Sequence, residues 1–160
     1  MDTKIKLNDQ ELDLARKIAS LRYGSSREAG VHNAKIGGQS NFETDFMGFA
    51  GELAFCKLFN CYPDFAIVAG GADYDCIVGG LRVDVKTTKY RSGHLLSRAD
   101  KEYPNIDVFA LIIGDALSGE FEFVGWETAK ALRSEENLSK KFEGSYALPQ
   151  DKLKGVDDWK

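Results

Sequence analysis

The sequence predicts an α/β fold in a single domain. Two helical patterns come first, several short apolar runs bounded by turn residues follow, and a crossover leads to a further strand and a helix. That order favours an α/β sandwich. The 160 residues, 43% of them hydrophobic, can close around one core but leave too little chain for a second domain. Residues 1–160 are therefore expected to form one unit.

The first helix is predicted over residues 8–23, where apolar side chains recur at helical spacing. Asn8 suits the N-cap, and Glu11 follows at the spacing of a capping box. Residues 24–41 are rich in Gly, Ser and Asn without periodicity, which predicts a loop that either moves or closes over a ligand. A second helix is predicted over residues 43–59.

Short strands are predicted after the second helix, because the apolar runs there are punctuated by turn residues. Their predicted bounds are residues 65–68, 72–78, 81–88, 107–114 and 121–125. Residues 127–133 predict a last helix. The tail after Gly144 is expected to be irregular, with Leu148, Leu153 and Trp159 as anchors.

Composition argues against several classes of protein. No stretch reaches the roughly 18 apolar residues that span a bilayer, and residues 1–8 do not resemble a signal peptide, so a soluble cytoplasmic protein is expected. The three cysteines form an odd set without CxxC spacing, which argues against a disulfide framework and a structural zinc site. Cys56, Cys61 and Cys76 are therefore interpreted as reduced packing residues.

Charge is distributed unevenly along the chain. The net charge of −4 would by itself argue against a nucleic-acid partner, since lysine and arginine supply most of the affinity for phosphates. Residues 41–80, however, carry one basic and six acidic residues, whereas residues 82–103 carry six basic and three acidic residues. An acidic block next to a basic one suits a metal site beside a phosphate-binding strip.

Residues 73–86 predict a β-hairpin, because Gly79-Gly80 separates two strand-like runs and glycine supplies the positive φ of a two-residue turn. The predicted register places Asp75 directly opposite Asp84 and makes one face of the hairpin apolar. Because side chains alternate along a strand, the other face carries Asp73, Asp75, Ile77, Arg82, Asp84 and Lys86.

Asp75 and Asp84 form a candidate metal site in this register. Directly opposed carboxylates, about 5 Å apart at Cβ, repel each other unless a cation lies between them. Magnesium takes hard oxygen ligands, commonly one or two carboxylates with water and phosphate oxygens, and Lys86 is placed to hold a phosphate or orient a water. Two alternatives stay open: a β-bulge that shifts the register, and a solvated face on which Asp73 and Lys86 form an ordinary ion pair.

Glu52 lies on the apolar face of the predicted second helix, at helical spacing with Phe49, Leu53 and Cys56. An inward carboxylate is costly unless it meets a cation, a metal or several donors. Glu52 therefore either bonds to a loop or a lysine at the edge of the core, or belongs to the same site as the hairpin carboxylates. Asp45 either supports that site or stabilises the N-terminus of the helix.

Gly48 and Gly51 lie in the same predicted helix. Each lowers helix propensity by about 1 kcal/mol relative to alanine, yet each permits another backbone to approach closely. A close contact between this helix and the sheet is therefore predicted.

Glu52, Asp75 and the run Asp84-Val85-Lys86 together resemble the signature of the PD-(D/E)XK superfamily, the restriction-endonuclease-like nucleases. That signature is a helical glutamate, an aspartate at a strand, and Asp/Glu-X-Lys on the next strand. The phrases Gly-Glu-Leu-Ala and Val-Asp-Val-Lys-Thr-Thr look especially like small resolvase-like or phage-borne members.

The resemblance implies a fold and an activity. The fold is a restriction-endonuclease-like sandwich with a central mixed β-sheet flanked by helices, and the activity is hydrolysis of DNA phosphodiesters with Mg²⁺, or alternatively Mn²⁺. The implied metal ligands are Asp75, Asp84 and the Val85 carbonyl, with Glu52 completing the coordination directly or through water, while Lys86 positions the attacking water. A phage-encoded member would act in the host cytoplasm, and cutting both strands favours a homodimer.

The basic segment after the motif is predicted to follow the DNA backbone because it lies close to Lys86 in sequence. The predicted nucleic-acid contacts are Lys89, Tyr90, Arg91 and Arg98. The proline that often precedes the first aspartate of the motif is missing, so Asp73 competes with Asp75 for that position. Two other classes stay open: a nucleic-acid-binding or assembly module with an inactive nuclease fold, and an unrelated metal-binding α/β domain.

Overall fold

The computed structural model describes residues 1–28, 41–67 and 73–159. Within these ranges the chain forms an α/β fold with seven strands and three α-helices. The strands are β1 (Lys4–Lys6), β2 (Cys76–Val78), β3 (Leu81–Thr88), β4 (Leu95–Arg98), β5 (Val108–Asp115), β6 (Glu120–Thr128) and β7 (Ser145–Leu148). The helices are α1 (Asp9–Glu28), α2 (Asn41–Phe59) and α3 (Ala129–Leu132).

Five of these strands form one mixed sheet in the order β1-β6-β5-β3-β2, and β4 pairs with β7 in a separate two-stranded sheet. Strands β3 and β5 are parallel, whereas the other neighbours in the large sheet are antiparallel. Side chains of β5 are buried on both faces over residues 108–113, which makes it the central strand of the domain.

The large sheet is covered on both faces. On one face, α1 and α2 pack against it through a core that includes Phe49, Phe55 and Val85. On the other face, Phe109 and Leu111 of β5 contact a smaller core. The other buried members of that smaller core are Leu95, Ile106, Leu132 and Leu148. This smaller core partly covers the hairpin face that carries Asp84 and Lys86.

Helix α1 begins as predicted and ends later. Glu11 N–H donates to Asn8 Oδ1 at 2.8 Å and Asn8 N–H donates to Glu11 Oε2 at 2.7 Å, so the capping box is confirmed. The helix continues to Glu28 and α2 begins at Asn41, so both ends of the loop predicted over residues 24–41 are helical. The rest of that prediction, residues 29–40, lies outside the described residues. No helix in the described ranges has the length and apolar character needed to cross a membrane.

Several predicted elements differ in extent. Residues 65–67 form no strand, and Phe65 instead packs its ring against Phe49. The strand predicted over residues 72–78 begins only at Cys76. Strand β6 runs on through Thr128, whose side chain accepts a hydrogen bond from Ala131 N–H, so the helix predicted over residues 127–133 is shorter.

The short strands β1, β4 and β7 are not predicted from the sequence. Strand β1 pairs with β6 and β4 pairs with β7, so each of these three- or four-residue segments depends on a partner far along the chain rather than on local periodicity. Strand β7 also corrects the expectation of an irregular tail. The predicted anchors are confirmed: Leu148 is buried, Leu153 packs against the smaller core, and Trp159 packs against Phe55.

Gly51 marks the closest approach of α2 to β3. A Cβ atom at this position would lie 1.9 Å from Thr87 Oγ1, whereas a Cβ at Gly48 would meet nothing within 4 Å among the described residues. We expect Gly51→Ala to lower the free energy of unfolding by about 1–3 kcal/mol through overpacking. Gly48→Ala, the matched control in the same helix, should raise it by up to about 1 kcal/mol. Urea denaturation of both variants measures the difference, and equal effects would contradict the close packing.

Candidate active site

The β2–β3 hairpin forms around the predicted glycine turn. Gly79 and Gly80 have φ of 58° and 83°, which is the left-handed backbone that favours glycine. The predicted register is confirmed in the three pairs next to the turn, which are Val78–Leu81, Ile77–Arg82 and Cys76–Val83.

The register changes at Asp75. Its N–H donates to the Val83 carbonyl at 2.8 Å, one residue out of step with the pairs nearer the turn. Asp75 therefore does not face Asp84 directly, and the β-bulge alternative describes the ladder better. Instead, Asp75 Oδ2 accepts a hydrogen bond from Val85 N–H at 2.7 Å. Tyr74 correspondingly packs against the smaller core rather than sharing a face with Cys76.

Asp84 and Lys86 form an ion pair within β3. Lys86 Nζ lies 2.6 Å from Asp84 Oδ1, and the two side chains are 34% and 15% exposed. Burial lowers the pKa of Lys86, but the interactions with Asp84, Tyr103 and Asp75 together outweigh burial, so the pKa is raised. Asp84 Oδ1 is buried and receives no well-directed hydrogen bond within the part of the chain that the structure describes. This oxygen can therefore accept a further hydrogen bond or bind a cation.

Lys86 does not pair with Asp73, which corrects that alternative for the hairpin. Asp73 Oδ2 instead accepts a hydrogen bond from Asn105 Nδ2 at 3.2 Å on the surface. The Lys86 ammonium lies 5.6 Å from the ring centroids of both Tyr103 and Phe109, within the range of cation–π attraction. These two rings fix the direction of the lysine side chain.

Glu52 points inward from α2, as its place on the apolar helix face predicts, and only 13% of its side chain is exposed. Burial raises the pKa of Glu52 to about 7, an effect that Arg22 and Lys86 reduce and Asp84 increases. Glu52 therefore lies within electrostatic range of both charges of the Asp84–Lys86 pair.

Arg22 is the partner of Glu52 that sequence analysis misses. Its Nη1 lies 3.3 Å from Glu52 Oε2, and its guanidinium also donates to the carbonyls of Asp64 and Ala66. The same group stacks 4.8 Å from the Phe49 ring centroid. No local pattern links two residues that lie 30 positions apart, and the contact exists only because α1 packs against α2.

Asp75 completes a set of three interacting carboxylates. Burial raises its pKa well above the ordinary value, Glu52 and Asp84 raise it further, and the Val85 N–H lowers it. The ligand atoms of the three carboxylates are nevertheless not all within 4.8 Å of one another, a condition that only the three cysteines meet among the described residues. Each carboxylate thus has its own partner, which is Arg22 for Glu52, the Val85 N–H for Asp75 and Lys86 for Asp84. The three carboxylates still interact electrostatically.

A cleft of about 780 Å³ opens from Lys86 along the end of β3, between α2 and the small sheet. Of the predicted DNA contacts, Lys89, Tyr90 and Arg98 line it. Arg91 does not; it is 87% exposed and pairs with Glu122. Sequence analysis missed Lys141 and Phe142, which reach the cleft from the segment before β7. Four cationic side chains and one carboxylate line the cleft, so it attracts anions.

The raised pKa of Glu52 makes the stability of the metal-free chain depend on pH. Between the ordinary value of 4.5 and about 7, the folded chain keeps a proton that the unfolded chain has lost, so the free energy of unfolding should fall as pH rises. The loss is up to about 3 kcal/mol, and Asp75 acts in the same direction. Urea denaturation in EDTA across this window measures the slope.

Glu52→Gln should remove much of that slope, because the amide does not titrate. Glu135→Gln, at an exposed glutamate, is the control and should leave the slope unchanged. A wild-type chain whose stability rises over the same window would contradict the burial of protonated carboxylates at this site.

No protein-family model, curated protein or solved structure matches this chain. The resemblance to the nuclease superfamily therefore depends on the residues described above and on their arrangement.

Proposed function

We propose that this chain is a magnesium-dependent deoxyribonuclease with a restriction-endonuclease-like fold. The observation that carries the proposal is the Asp84–Lys86 ion pair on β3, which interacts electrostatically with Asp75 and Glu52. Glu52 and Asp75, whose pKa values are raised by burial and by neighbouring carboxylates, are unfavourable as charged groups unless a cation compensates them. The mixed sheet with α2 packed against β3 is compatible with the proposed fold.

The donor set fits a hard divalent cation. Asp75 and Asp84 would hold it, with the Val85 carbonyl as a further oxygen ligand. Glu52 would complete the coordination through a water, because the three carboxylates are not all within 4.8 Å of one another. Asp84 Oδ1 is buried and has only the Lys86 ammonium beside it, which supports this assignment. When bound, Mg²⁺ lowers the pKa of a coordinated water and neutralises charge on the phosphate. The oxygen-rich set equally suits Mn²⁺.

The protein side chains have separate tasks in this proposal. Lys86, one-third exposed and directed by Tyr103 and Phe109, orients the attacking water and stabilises the negative charge that develops on the phosphate. Arg22 holds Glu52 in position through their ion pair. Preorganised charges of this kind need no rearrangement as the reaction proceeds.

The cleft beside Lys86 is the proposed path of the DNA backbone. Lys89 and Lys141 offer cations to phosphates, and Tyr90, which is 42% exposed, offers a ring for stacking. Arg98 also lines the cleft, but its guanidinium already donates two hydrogen bonds to Asp100, at 2.9 and 2.7 Å. Because the described residues form one such site per chain, cutting both strands would use a homodimer.

The double variant Lys89→Glu/Lys141→Glu should weaken binding of duplex DNA by about tenfold or more and flatten its dependence on salt, because two phosphate contacts are lost. Lys17→Glu/Lys130→Glu changes net charge equally at exposed lysines of α1 and α3 and is the matched control. Fluorescence anisotropy in EDTA, over a series of salt concentrations, measures both. Equal losses in the two double variants would show that the cleft is not the path of the DNA.

The proposed function is tested by incubating the purified chain with plasmid, linear, single-stranded and branched DNA in Mg²⁺, Mn²⁺ or EDTA. Cleavage of at least one DNA form in the metal buffers but not in EDTA is the expected result. DNA binding without cleavage under every condition would instead favour a binding or assembly module with an inactive nuclease fold.

A further inference from the structure

The three cysteines, interpreted from the sequence as reduced packing residues, meet at one point in the structure. The Sγ atoms of Cys56, Cys61 and Cys76 all lie within 4.8 Å of one another. All three are free thiols that pack in the larger core, as predicted, and they do so as one cluster.

The chain brings the thiols together at the end of α2. Asn60 follows the helix with a φ of 50° and reverses the chain direction, and Cys61 N–H then donates to the Cys56 carbonyl at 3.0 Å. This tight C-terminal turn returns Cys61 to the side of Cys56. Cys76 approaches from the start of β2. Spacing along the sequence misses the cluster because its third member arrives from another element.

The cluster is partly enclosed by the protein. Cys56 and Cys76 are 2% and 3% exposed, whereas Cys61 is only partly buried, so the cluster has a closed side and a side open towards solvent. Three sulfur ligands suit thiophilic cations and not magnesium, which requires oxygen.

We propose that Cys56, Cys61 and Cys76 bind one thiophilic d¹⁰ cation, Zn²⁺ or Cu(I), through three thiolates. Binding releases the thiol protons to solvent. Zn²⁺ would take a water or a small thiol as its fourth ligand on the side of Cys61, whereas Cu(I) is satisfied by three sulfurs. The cation joins the end of α2 to the start of β2.

The cysteine cluster between α2 and β2 lies next to the candidate active site without being part of it. Cys56 follows Glu52 by one helical turn, and Cys76 directly follows Asp75. A cation on the thiolates would therefore hold the two elements that carry these carboxylates in a constant relation. The inference does not depend on the proposed nuclease function, because the thiol cluster exists whether or not DNA is cleaved.

The test uses the reduced full-length chain, freed of metal by a chelator and kept under anaerobic conditions. Titration with Co²⁺ as a spectroscopic probe should produce thiolate-to-cobalt charge-transfer absorption that saturates at one equivalent, and Zn²⁺ should displace it. Separate titrations with Zn²⁺ and with Cu(I), each competed with a chelator, identify the preferred cation. Either cation should raise the melting temperature.

Two variants make the result decisive. Cys61→Ser, at the least buried position, should keep the fold and weaken Zn²⁺ binding by about a hundredfold. Asp84→Asn should leave the cobalt–thiolate absorption unchanged, which separates failure of this site from failure of the nuclease proposal. Absence of both cobalt charge-transfer absorption and Cu(I) binding in the wild-type chain, or unchanged affinity in Cys61→Ser for the cation that binds, would overturn the inference.

Discussion

Asp84→Asn is expected to reduce Mg²⁺-dependent DNA cleavage by about a thousandfold or more. Asparagine keeps the size of the side chain but removes the negative charge, and with it the strongest proposed metal ligand on β3. The ammonium of Lys86 also loses its partner at 2.6 Å. Because that lysine is 34% exposed, the cost to the free energy of unfolding should be only about 1–2 kcal/mol, so the domain stays folded.

Initial cleavage rates, with circular dichroism to verify folding, measure this effect. Asp157→Asn, at an exposed aspartate of the C-terminal segment, carries the same charge change and should cleave at the wild-type rate. Isothermal titration should show that Mg²⁺ affinity falls in Asp84→Asn and not in the control. A folded Asp84→Asn chain that still cleaves at the wild-type rate would rule out the proposed metal site.

Lys86→Met should lower the cleavage rate by about a hundredfold to a thousandfold while Mg²⁺ still binds. Methionine retains most of the apolar stem against Tyr103 and Phe109 but has no ammonium for the water or the phosphate. Because Lys86 and the cation share the charge of Asp84, removing the lysine should leave Mg²⁺ affinity unchanged or higher. Lys86→Met is therefore expected to lower the cleavage rate without lowering Mg²⁺ affinity, whereas Asp84→Asn lowers both.

Single-turnover cleavage at saturating Mg²⁺ separates the two effects, and Lys130→Met on α3 is the matched surface control. If raising the Mg²⁺ concentration restored the rate of Lys86→Met, then the lysine would only assist metal binding. That outcome would remove Lys86 from the catalytic role proposed for it.

The parts of the site that depend on local pattern could be predicted from the sequence. Strand β3 has the predicted bounds because its apolar and polar residues alternate, and the Gly79-Gly80 turn fixes the nearest hairpin pairs. The inward direction of Glu52 follows from helical spacing with Phe49 and Leu53. A period of two or of 3.6 residues contains this information without any tertiary contact.

The parts that depend on tertiary contacts could not be predicted. The register shift at Asp75 results from a competition between the strand ladder and the Val85 N–H, which no sequence period encodes. Arg22 meets Glu52 only because two helices pack together. Lys141 enters the cleft for the same reason, since β7 pairs with a strand almost 50 residues earlier.

The central claim is that Asp75 and Asp84 hold a divalent cation beside Lys86. It is tested most directly by growing crystals in Mn²⁺ and measuring anomalous scattering at the manganese absorption edge. We predict an anomalous peak bounded by the Asp75 and Asp84 carboxylates, within coordination distance of the Val85 carbonyl, that disappears in Asp84→Asn crystals. Diffraction of good quality with no manganese peak at these carboxylates, or with the peak elsewhere on the chain, would contradict the account.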